Sequence, residues 1–553
     1  MSRLKRKNPL WLFFGLLLLT SLACRLSDIG QPAGSIPSNA AVVEVTANHS
    51  LLPWLEQAAA DFNATETKTA DGRSAFVVVQ GVESGQFVAT AEEGALPTLW
   101  LPDSPVWVSL LADRDLDNFN NACVSVAQSP LVIGVWREAA ESLGWPGYAL
   151  GWLDFGSLAQ DPSSWAYYTG GEYGESLRLS HTHPGLSGAG ASTLLALVQS
   201  AERKTDAVTV EEIQRPLVQA SVGAFESAVA FFANNPLALA ETMQTRGPGF
   251  LGAAVMYESD AVSQGQGAII PIYPLEGTFM ATHPACINQF AAESSKEAAG
   301  LFRDYLLSEA GQETAVSHAL RPVIPAIATG PLLTAENGVD LTQPQTIFAE
   351  PSAETVYAIQ SVWQEARKDV NLVMLLDTSG SMRGRKMDGM KAAAEQFVQQ
   401  MGDDDRLTLI AFSTEPVIII EAIQVGPNRD KLVNAIRALN PSGDTTLYDA
   451  IGDGAASIAR TTLPDQSNAL IILSDGQDTR SYRYRFGPEL IALAGGNNTT
   501  VFAIAYGSDA DENILGQFAF GGNGNLYSGD EASIAAIYEE MSAAFGGSVG
   551  VGR

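Results

Sequence analysis

The strongest constraint on this chain is a rhythm in which short apolar runs alternate with stretches of helical apolar spacing. From residue 41 the runs are AVVEVTA, AFVVVQG, TLWLP, LVIGVW, LRLSHT, AAVMYES and AIIPIYP. From residue 369 they are NLVMLLD, DRLTLIAFS, NALIILSDG and TTVFAIAYG. Between them lie sets such as Leu51, Leu52, Leu55, Ala58, Ala59 and Phe62, which fall on one face of a helix. This alternation specifies βαβ units and mostly parallel sheets, because parallel neighbours need a crossover long enough to hold a helix. The expected class is α/β. At 553 residues the chain outgrows one core, which stops enlarging near ~250–300 residues, so several cores are expected.

Composition narrows the function. With 62 Asp+Glu against 32 Lys+Arg and a formal charge of −30, a phosphate-backbone partner is excluded, since such binding draws on clustered cations. Hydrophobic content of 46% with 17% charged residues supports packed cores and excludes global disorder. Three Cys in this length exclude a disulfide-dense scaffold. All five His (His49, His181, His183, His283, His318) precede residue 320 and no Cys follows Cys286. The C-terminal region therefore cannot hold a His-based triad, a zinc site or a thiol nucleophile. No phosphate-loop motif G-x-x-x-x-G-K-[ST] occurs, and Gly185-Leu186-Ser187-Gly188-Ala189 misses the nucleophile-elbow pattern at its last position. His181 and His183 read either as a ligand pair or as polar packing at a strand end. The expectation is a protein that is not an enzyme.

Arg3, Lys5, Arg6 and Lys7 precede an apolar run from Leu10 to Leu19, which fits a signal-peptide core and is shorter than the ~20 residues of a spanning helix. The run ends at Ser21-Leu22-Ala23-Cys24. This resembles a bacterial lipoprotein signal, which would make Cys24 the lipidated first residue of the mature chain. Ser21 departs from the aliphatic residue usual in that family, and a plain secretory signal or short anchor stays open. Residues 25–40, rich in Ser, Gly and Pro, read as a tether that spans an r.m.s. distance of about 20–25 Å. Cleavage would deepen the charge from −30 to −34. The expected organisation is 1–23 signal peptide and 24–40 tether, on a protein held outside the cytoplasm by a lipid anchor alone.

Residues 41–330 resemble the type II (molybdate/sulfate-like) extracellular solute-binding proteins. The carriers are VTANHSLLPWLEQAAADFN, SPLVIGVWREAAESLGWP, LSHTHPGLSGAGASTLLALV, VMYESDAV and IIPIYPLEGTFMATHP. The resemblance implies two α/β lobes joined by crossing strands near Cys123–Val135 and Thr278–Ile287, with a small polar solute or oxyanion between the lobes. Helices that start after Ala47-Asn48-His49-Ser50, after Glu83-Ser84-Gly85 and after Leu186-Ser187-Gly188 would present free backbone N–H groups, which suit anions and polar oxygens. Asn48, Ser50, Ser84, Ser187 and Tyr257 are the expected ligand contacts, although Ser and Asn at such places are also ordinary helix caps. Family oxyanion binders carry a small hydroxyl residue where this chain has Asn48-His49-Ser50, which is a departure. Cys123 and Cys286 fall on the two crossings, which are neighbours in the family fold. They are expected either to be bridged, as export permits, or to be two buried thiols.

Residues 331–368 read as a linker followed by a helix through Val356, Ile359, Val362 and Trp363. Beyond them NLVMLLD runs straight into Asp377-Thr378-Ser379-Gly380-Ser381. Residues 369–545 resemble the von Willebrand factor type A domain, a doubly wound, Rossmann-like fold with a metal-ion-dependent adhesion site. The motif D-x-S-x-S is matched by Asp377, Ser379 and Ser381, the later Thr by Thr445, and the Asp after a central strand by Asp475. The resemblance implies that Ser379, Ser381 and Thr445 coordinate a metal directly, and Asp377 and Asp475 through waters. Hydroxyls and carboxylates are hard ligands suited to Mg²⁺, Mn²⁺ or Ca²⁺. So few anionic ligands would leave room for an acidic side chain from a protein partner.

Together these readings describe a non-enzymatic, exported, membrane-anchored binding protein. A two-lobed periplasmic-binding-protein-like type II module precedes a type A domain that engages a protein partner through a divalent cation. The alternative is the substrate-binding component of a transport system for a small polar solute or oxyanion, with the type A domain as tether or regulator.

Overall fold

The computed structural model describes residues 36–119, 123–463 and 466–547. The signal segment 1–23, Cys24 and the tether up to residue 35 lie outside the described residues. Among the described residues no helix is long and apolar enough to cross a membrane. The chain divides into two compact units: Met1–Pro130, Tyr257–Gly267 and Met280–Thr342 form one, and Leu131–Met256, Ala268–Phe279 and Gln343–Arg553 form the other. Two of the breaks, at Pro130/Leu131 and Phe279/Met280, fall inside the segments expected to cross between lobes. The excursion Tyr257–Gly267 was not foreseen.

The first unit is built on β1 (Ala40–Ala47), β2 (Ser74–Gly81), β3 (Leu99–Leu101) and β4 (Val124–Ser125). β1 pairs in parallel with both β2 and β3. Alternate residues of β1, Ala41, Val43, Val45 and Ala47, enter a core with Leu55 and Phe62 of the helix Leu52–Ala64 and Phe302 of the helix Glu293–Leu306. The chain leaves through β5 (Ser129–Trp136) and adds β6 (Leu179–Thr182), β7 (Val229–Ala233), β8 (Ala253–Tyr257) and β9 (Ile269–Ile272). It returns as β10 (Met280–Ala281) and β11 (Pro284–Ile287), and β11 runs antiparallel to both β3 and β4. That pairing sets Ala285 opposite Val124 and brings the neighbouring Cys123 and Cys286 together, with Cα atoms 4.4 Å apart and the sulfurs bonded. Strand order is β2-β1-β3-β11-β4. Because β1 lies between β2 and β3, the loops after these strands diverge to opposite sides at the carboxyl end of β1, where α/β sheets open a crevice.

The second unit holds two sheets. In the first, β6 pairs in parallel with β7 and β8, and β5 lies antiparallel to β9. The helix Gly188–Glu202 is buried along nearly its whole length. Gly190 permits this, since a Cβ there would collide with the Thr182 carbonyl. The segment expected to be a linker and helix is packed: Leu333 and Val339 join a small core cluster in the first unit. In the second unit Gln360, on the helix Ala353–Ala366, donates from Nε2 to the Pro184 carbonyl at 2.8 Å. Trp363 of the same helix meets the rings of His183 and Phe232 edge-on at 4.6 and 5.0 Å.

The second sheet comprises β12 (Asp369–Asp377), β13 (Arg406–Phe412), β14 (Pro416–Gln424), β15 (Gln466–Ser474), β16 (Thr500–Tyr506) and β17 (Leu526–Gly529). Its order is β14-β13-β12-β15-β16-β17, all parallel except β14. β12 is buried on both faces, as a central parallel strand must be. Leu372, Met374 and Leu376 pack toward the helices Arg385–Gln400, Arg429–Arg437 and Ile534–Ala544, whose buried residues share their cluster. Val373 and Leu375 pack toward Leu447–Thr461, Pro488–Ala494 and Glu512–Gly521. The sheet is doubly wound, and its first strand again ends in the middle.

Candidate functional site

Register explains how five separated residues of the second unit come together. Asp377 ends β12 opposite Phe412, and Leu376 pairs with Leu473, so the residues after β13 and β15 emerge beside the residues after β12. The loop carrying Thr445 is fastened there by its backbone: Ser442 N–H donates to the Thr378 carbonyl at 2.8 Å, and Gly380 N–H donates to the Gly443 carbonyl at 3.0 Å. Gly443 sits at φ +81°, and a side chain there would run into Thr414. A continuous hydrogen-bonded chain follows. Ser379 Oγ lies 2.9 Å from Ser381 Oγ, and Ser381 Oγ donates to Asp475 Oδ1 at 2.7 Å. Asp377 accepts from Ser379 N–H at 2.8 Å and from Ser474 Oγ at 2.7 Å, which fixes both of its oxygens. Asp377, Ser379, Thr445 and Asp475 are buried, while Ser381 is exposed and opens the group to solvent. Burial pushes the Asp377 carboxyl up to about 6 against the pull of its hydrogen bonds from Ser379 and Ser474.

One member was not legible in the motif. Lys386, on the first turn of the helix Arg385–Gln400, donates from Nζ to Asp475 Oδ2 at 2.7 Å. Its backbone carbonyl accepts from the Tyr506 hydroxyl at 3.1 Å, which pins that turn to β16. Two carboxylates and three hydroxyls form a hard-oxygen donor set that fits Mg²⁺, Mn²⁺ or Ca²⁺. Among the described residues no cluster of three or more His, Cys, Asp or Glu side chains could hold a metal. Any ion held here would therefore depend on the hydroxyls.

The first unit gathers a second polar group at the carboxyl ends of β1, β2 and β3. Asn48 follows β1, Glu83 and Ser84 follow β2, and Asp103 follows β3. The Tyr257–Gly267 excursion contributes Tyr257 and Asp260, and the stretch between β10 and β11 contributes His283. Asp103 accepts from Asn48 Nδ2 at 2.9 Å, from the Tyr257 hydroxyl at 2.7 Å and from Ser84 Oγ. Ser50 Oγ donates to Asp260 Oδ2 at 2.8 Å. Glu83 Oε1 accepts from His49 N–H at 3.0 Å and from His49 Nδ1 at 2.9 Å. Asn48, Glu83, Ser84, Asp103, Tyr257, Asp260 and His283 are all buried. Burial and the charge of Glu83 push Asp103 up to about 7, and burial does the same to Asp260. Burial opposes charge on His49, yet the hydrogen bond and charge of Glu83 outweigh it and raise its pKa. Burial pushes His283 down to about 3, so this imidazole is neutral.

Of the five expected solute contacts, the structure brings Asn48, Ser50, Ser84 and Tyr257 into this group. Ser187 belongs to the second unit, buried at the start of the helix Gly188–Glu202. Glu83, read from sequence only as part of a helix start, and Asp103, Asp260 and His283 were not among the expected ligand contacts. The clue available was an acid or amide directly after each of three apolar runs, in ANHS, GVES and LPDS. The pair His181 and His183 serves packing: His181 Nε2 meets Glu226 Oε1 at 2.8 Å and its Nδ1 meets the Thr182 carbonyl at 2.8 Å.

Comparison with known proteins assigns both regions. Residues 43–321 match the bacterial extracellular solute-binding protein family. The chain belongs to that family. Residues 371–540 match the von Willebrand factor type A domain, so this solute-binding protein carries such a domain at its C-terminal side. An uncharacterized protein of Synechocystis sp., sll0103, is 29% identical over 162 residues, covering 29% of this chain and 38% of that protein. The inter-alpha-trypsin inhibitor heavy chain H3 of Mesocricetus auratus is 26% identical over 185 residues, covering 31% of this chain and 21% of the relative. The chain thus spans well under half the length of these curated relatives. Among solved structures, a von Willebrand factor type A protein from Catenulispora acidiphila is 22% identical, with TM-score 0.29, over 32% of this chain and 42% of that one. The solute-binding family is an extracellular one, and both families consist in general of binding modules.

Proposed function

We propose that this is an exported, lipid-anchored binding protein whose type A domain engages a protein partner through a divalent cation, beside a solute-binding module. The observation that carries the reading is the hydrogen-bonded chain Ser379–Ser381–Asp475, with Asp377 fixed behind it, at the carboxyl edge of the second sheet. A bound divalent cation would supply a Lewis-acidic centre able to accept an oxygen from a partner's carboxylate. The protein's own residues do the rest. Asp377 orients the Ser379 backbone, the two serine hydroxyls converge, Thr445 is held on the neighbouring loop, and the exposed Ser381 gives access. Cys24 is the proposed lipid attachment, and Mg²⁺ is the first ion to test.

Isothermal titration of the full chain with Mg²⁺ tests this reading. Saturable binding that disappears in Asp377→Ala is the expected result. Heat that is absent from the wild type, or unchanged in the variant, overturns the metal assignment. A second reading is a transport component that delivers a solute, and the buried polar group at the ends of β1, β2 and β3 favours it. Cross-linked pull-down with and without chelator separates the two, because a captured partner that ignores chelator sides with transport.

A further inference from the structure

The polar group of the first unit has its hydrogen bonds distributed unevenly. The Ser50, Ser84 and Tyr257 hydroxyls are spent on Asp260 and Asp103. Three buried atoms in the same group have no partner: Glu83 Oε2, Asn48 Oδ1 and His283 Nε2. Asn48 Nδ2 lies 3.3 Å from His283 Nδ1, and since an amide N–H₂ can only donate, the neutral imidazole carries its proton on Nε2. The open positions are therefore two acceptors, one of them a carboxylate, and one donor. Buried polar atoms are costly to leave without a partner, and three in one group mark a place where another group can supply the bonds.

Charge selects what that is. Asp103 is bonded to Asn48, and the charge of Glu83 acts on both Asp103 and Asp260. His49 is bound to Glu83, and Arg321 is committed to Glu258 through contacts of 2.7 and 2.5 Å. An oxyanion would meet the open Glu83 carboxylate oxygen and the Asn48 carbonyl oxygen, with only the single Nε2–H to donate to it. A bare metal ion lacks its ligand set, since no three acids or histidines converge suitably among the described residues. An ammonium brings donors and a positive charge to the two acceptors, and a neighbouring oxygen on the same molecule would receive His283 Nε2–H. The position agrees, because β1 is the strand at which the sheet's connections diverge. We propose that the first unit binds a small organic ammonium with a nearby oxygen acceptor, through Glu83, Asn48 and His283, and that it does not bind an oxyanion. This rests on the solute-binding reading of the N-terminal module.

The test uses the purified full chain in saturating Mg²⁺, with melting temperature and calorimetry as readouts. The probes are ethanolamine, putrescine, ethylene glycol, sulfate and molybdate. Stabilisation by ethanolamine, weaker stabilisation by putrescine, which lacks the oxygen acceptor, and none by glycol or the oxyanions is expected, since a ligand that binds the folded state raises its melting temperature. Glu83→Gln should weaken amine binding by about tenfold or more, the worth of a charge-assisted bond. Should that variant not fold, Asn48→Ala removes the other open acceptor and should weaken binding as well. Stabilisation by sulfate or molybdate alone overturns the ammonium assignment and leaves the solute-binding reading standing. No stabilisation by any probe overturns both. Amine binding that is undiminished in the folded variant overturns the location.

Discussion

Replacing Lys386 by Met puts the metal reading to its most demanding test, because one contact sets two opposite effects. In the structure Nζ sits 2.7 Å from Asp475 Oδ2, with the lysine side chain 21% exposed and the aspartate fully buried. A hydrogen bond to a charged group contributes about 1.5–3 kcal/mol, and partial exposure of the ammonium reduces this to about 1–2 kcal/mol. The variant without metal should lose that much stability, since one oxygen of a buried carboxylate is left unpaired. Metal binding moves the other way. The ammonium occupies the very carboxylate on which a cation must draw, so the wild type gives up the contact on binding and the variant does not. The Mg²⁺ dissociation constant should therefore fall by about 5–30-fold in Lys386→Met, the same free energy expressed as a ratio. Calorimetry at constant ionic strength gives the constant, and thermal melts with and without Mg²⁺ give the stability. The melting gap between wild type and variant should close as Mg²⁺ is added. Unchanged or weaker Mg²⁺ binding in the variant would refute the argument and would make Lys386 a group that orients Asp475 for the ion.

Three further outcomes follow from contacts already described or from the same units. Arg367 and Asp405 form a buried pair at 3.0 Å, and Asp405 also accepts from Val370 N–H and Gly402 N–H; Arg367→Met should cost about 3–5 kcal/mol in denaturant titration, because it strands a buried charge. Replacing Cys123 and Cys286 together by Ala removes a cross-link over 163 residues, and chain entropy sets about 5 kcal/mol as the upper bound of the loss, to be read as a lower melting temperature under non-reducing conditions. His283 is held neutral down to about 3 while an unfolded histidine titrates near ~6.5, so the unfolded chain binds more protons between those values. Its contribution is intact above the unfolded pKa and is lost as pH falls, so the wild type should weaken against His283→Asn by about 1.4 kcal/mol per pH unit below ~6. Asn suits the φ of +40° at that position, and parallel stability curves for the two proteins from pH 7 to 4 would contradict the assignment.

The parallel strands were legible because a strand covered on both faces must be apolar throughout. NLVMLLD and NALIILS could hardly be anything else, and β12 and β15 are those runs. β14 escaped notice for the opposite reason. It is an antiparallel edge strand with irregular register, and the exposed Val417, Ile418 and Ile419 run straight into the buried Ile420, so its apolar run does not mark which face is buried. β7, with the sequence VAFFA, is too short to show a period. At the candidate site of the second unit the DxSxS set could be read because its spacing is local, whereas Lys386 could not, because only the helix turn pinned by Tyr506 aims it at Asp475. The acids of the first unit were hidden for a related reason. Glu83 stands beside the expected Ser84, but a surface acid next to a helix start is the commoner arrangement, and burial is a property of the fold and not of the motif.

Both candidate sites obey one topological rule, and their difference lies in how carboxylate charge is balanced. β1 and β12 are each the first strand of their sheet and each ends between two later strands, β2 and β3 in one case, β13 and β15 in the other. The residues that follow, Asn48-His49-Ser50 and Asp377-Thr378-Ser379, consequently sit where helices part to opposite faces. At the second of these places the carboxylates are few, every oxygen of Asp377 and Asp475 has a partner, and a lysine already stands in for a cation. That arrangement is self-sufficient until something stronger than an ammonium displaces Lys386. At the first place the donors are unevenly spent: Asp103 takes three, while Glu83 Oε2 and Asn48 Oδ1 are buried without a partner. Two open acceptors, one of them a carboxylate oxygen, suit the visiting ammonium proposed above, which brings both N–H donors and positive charge.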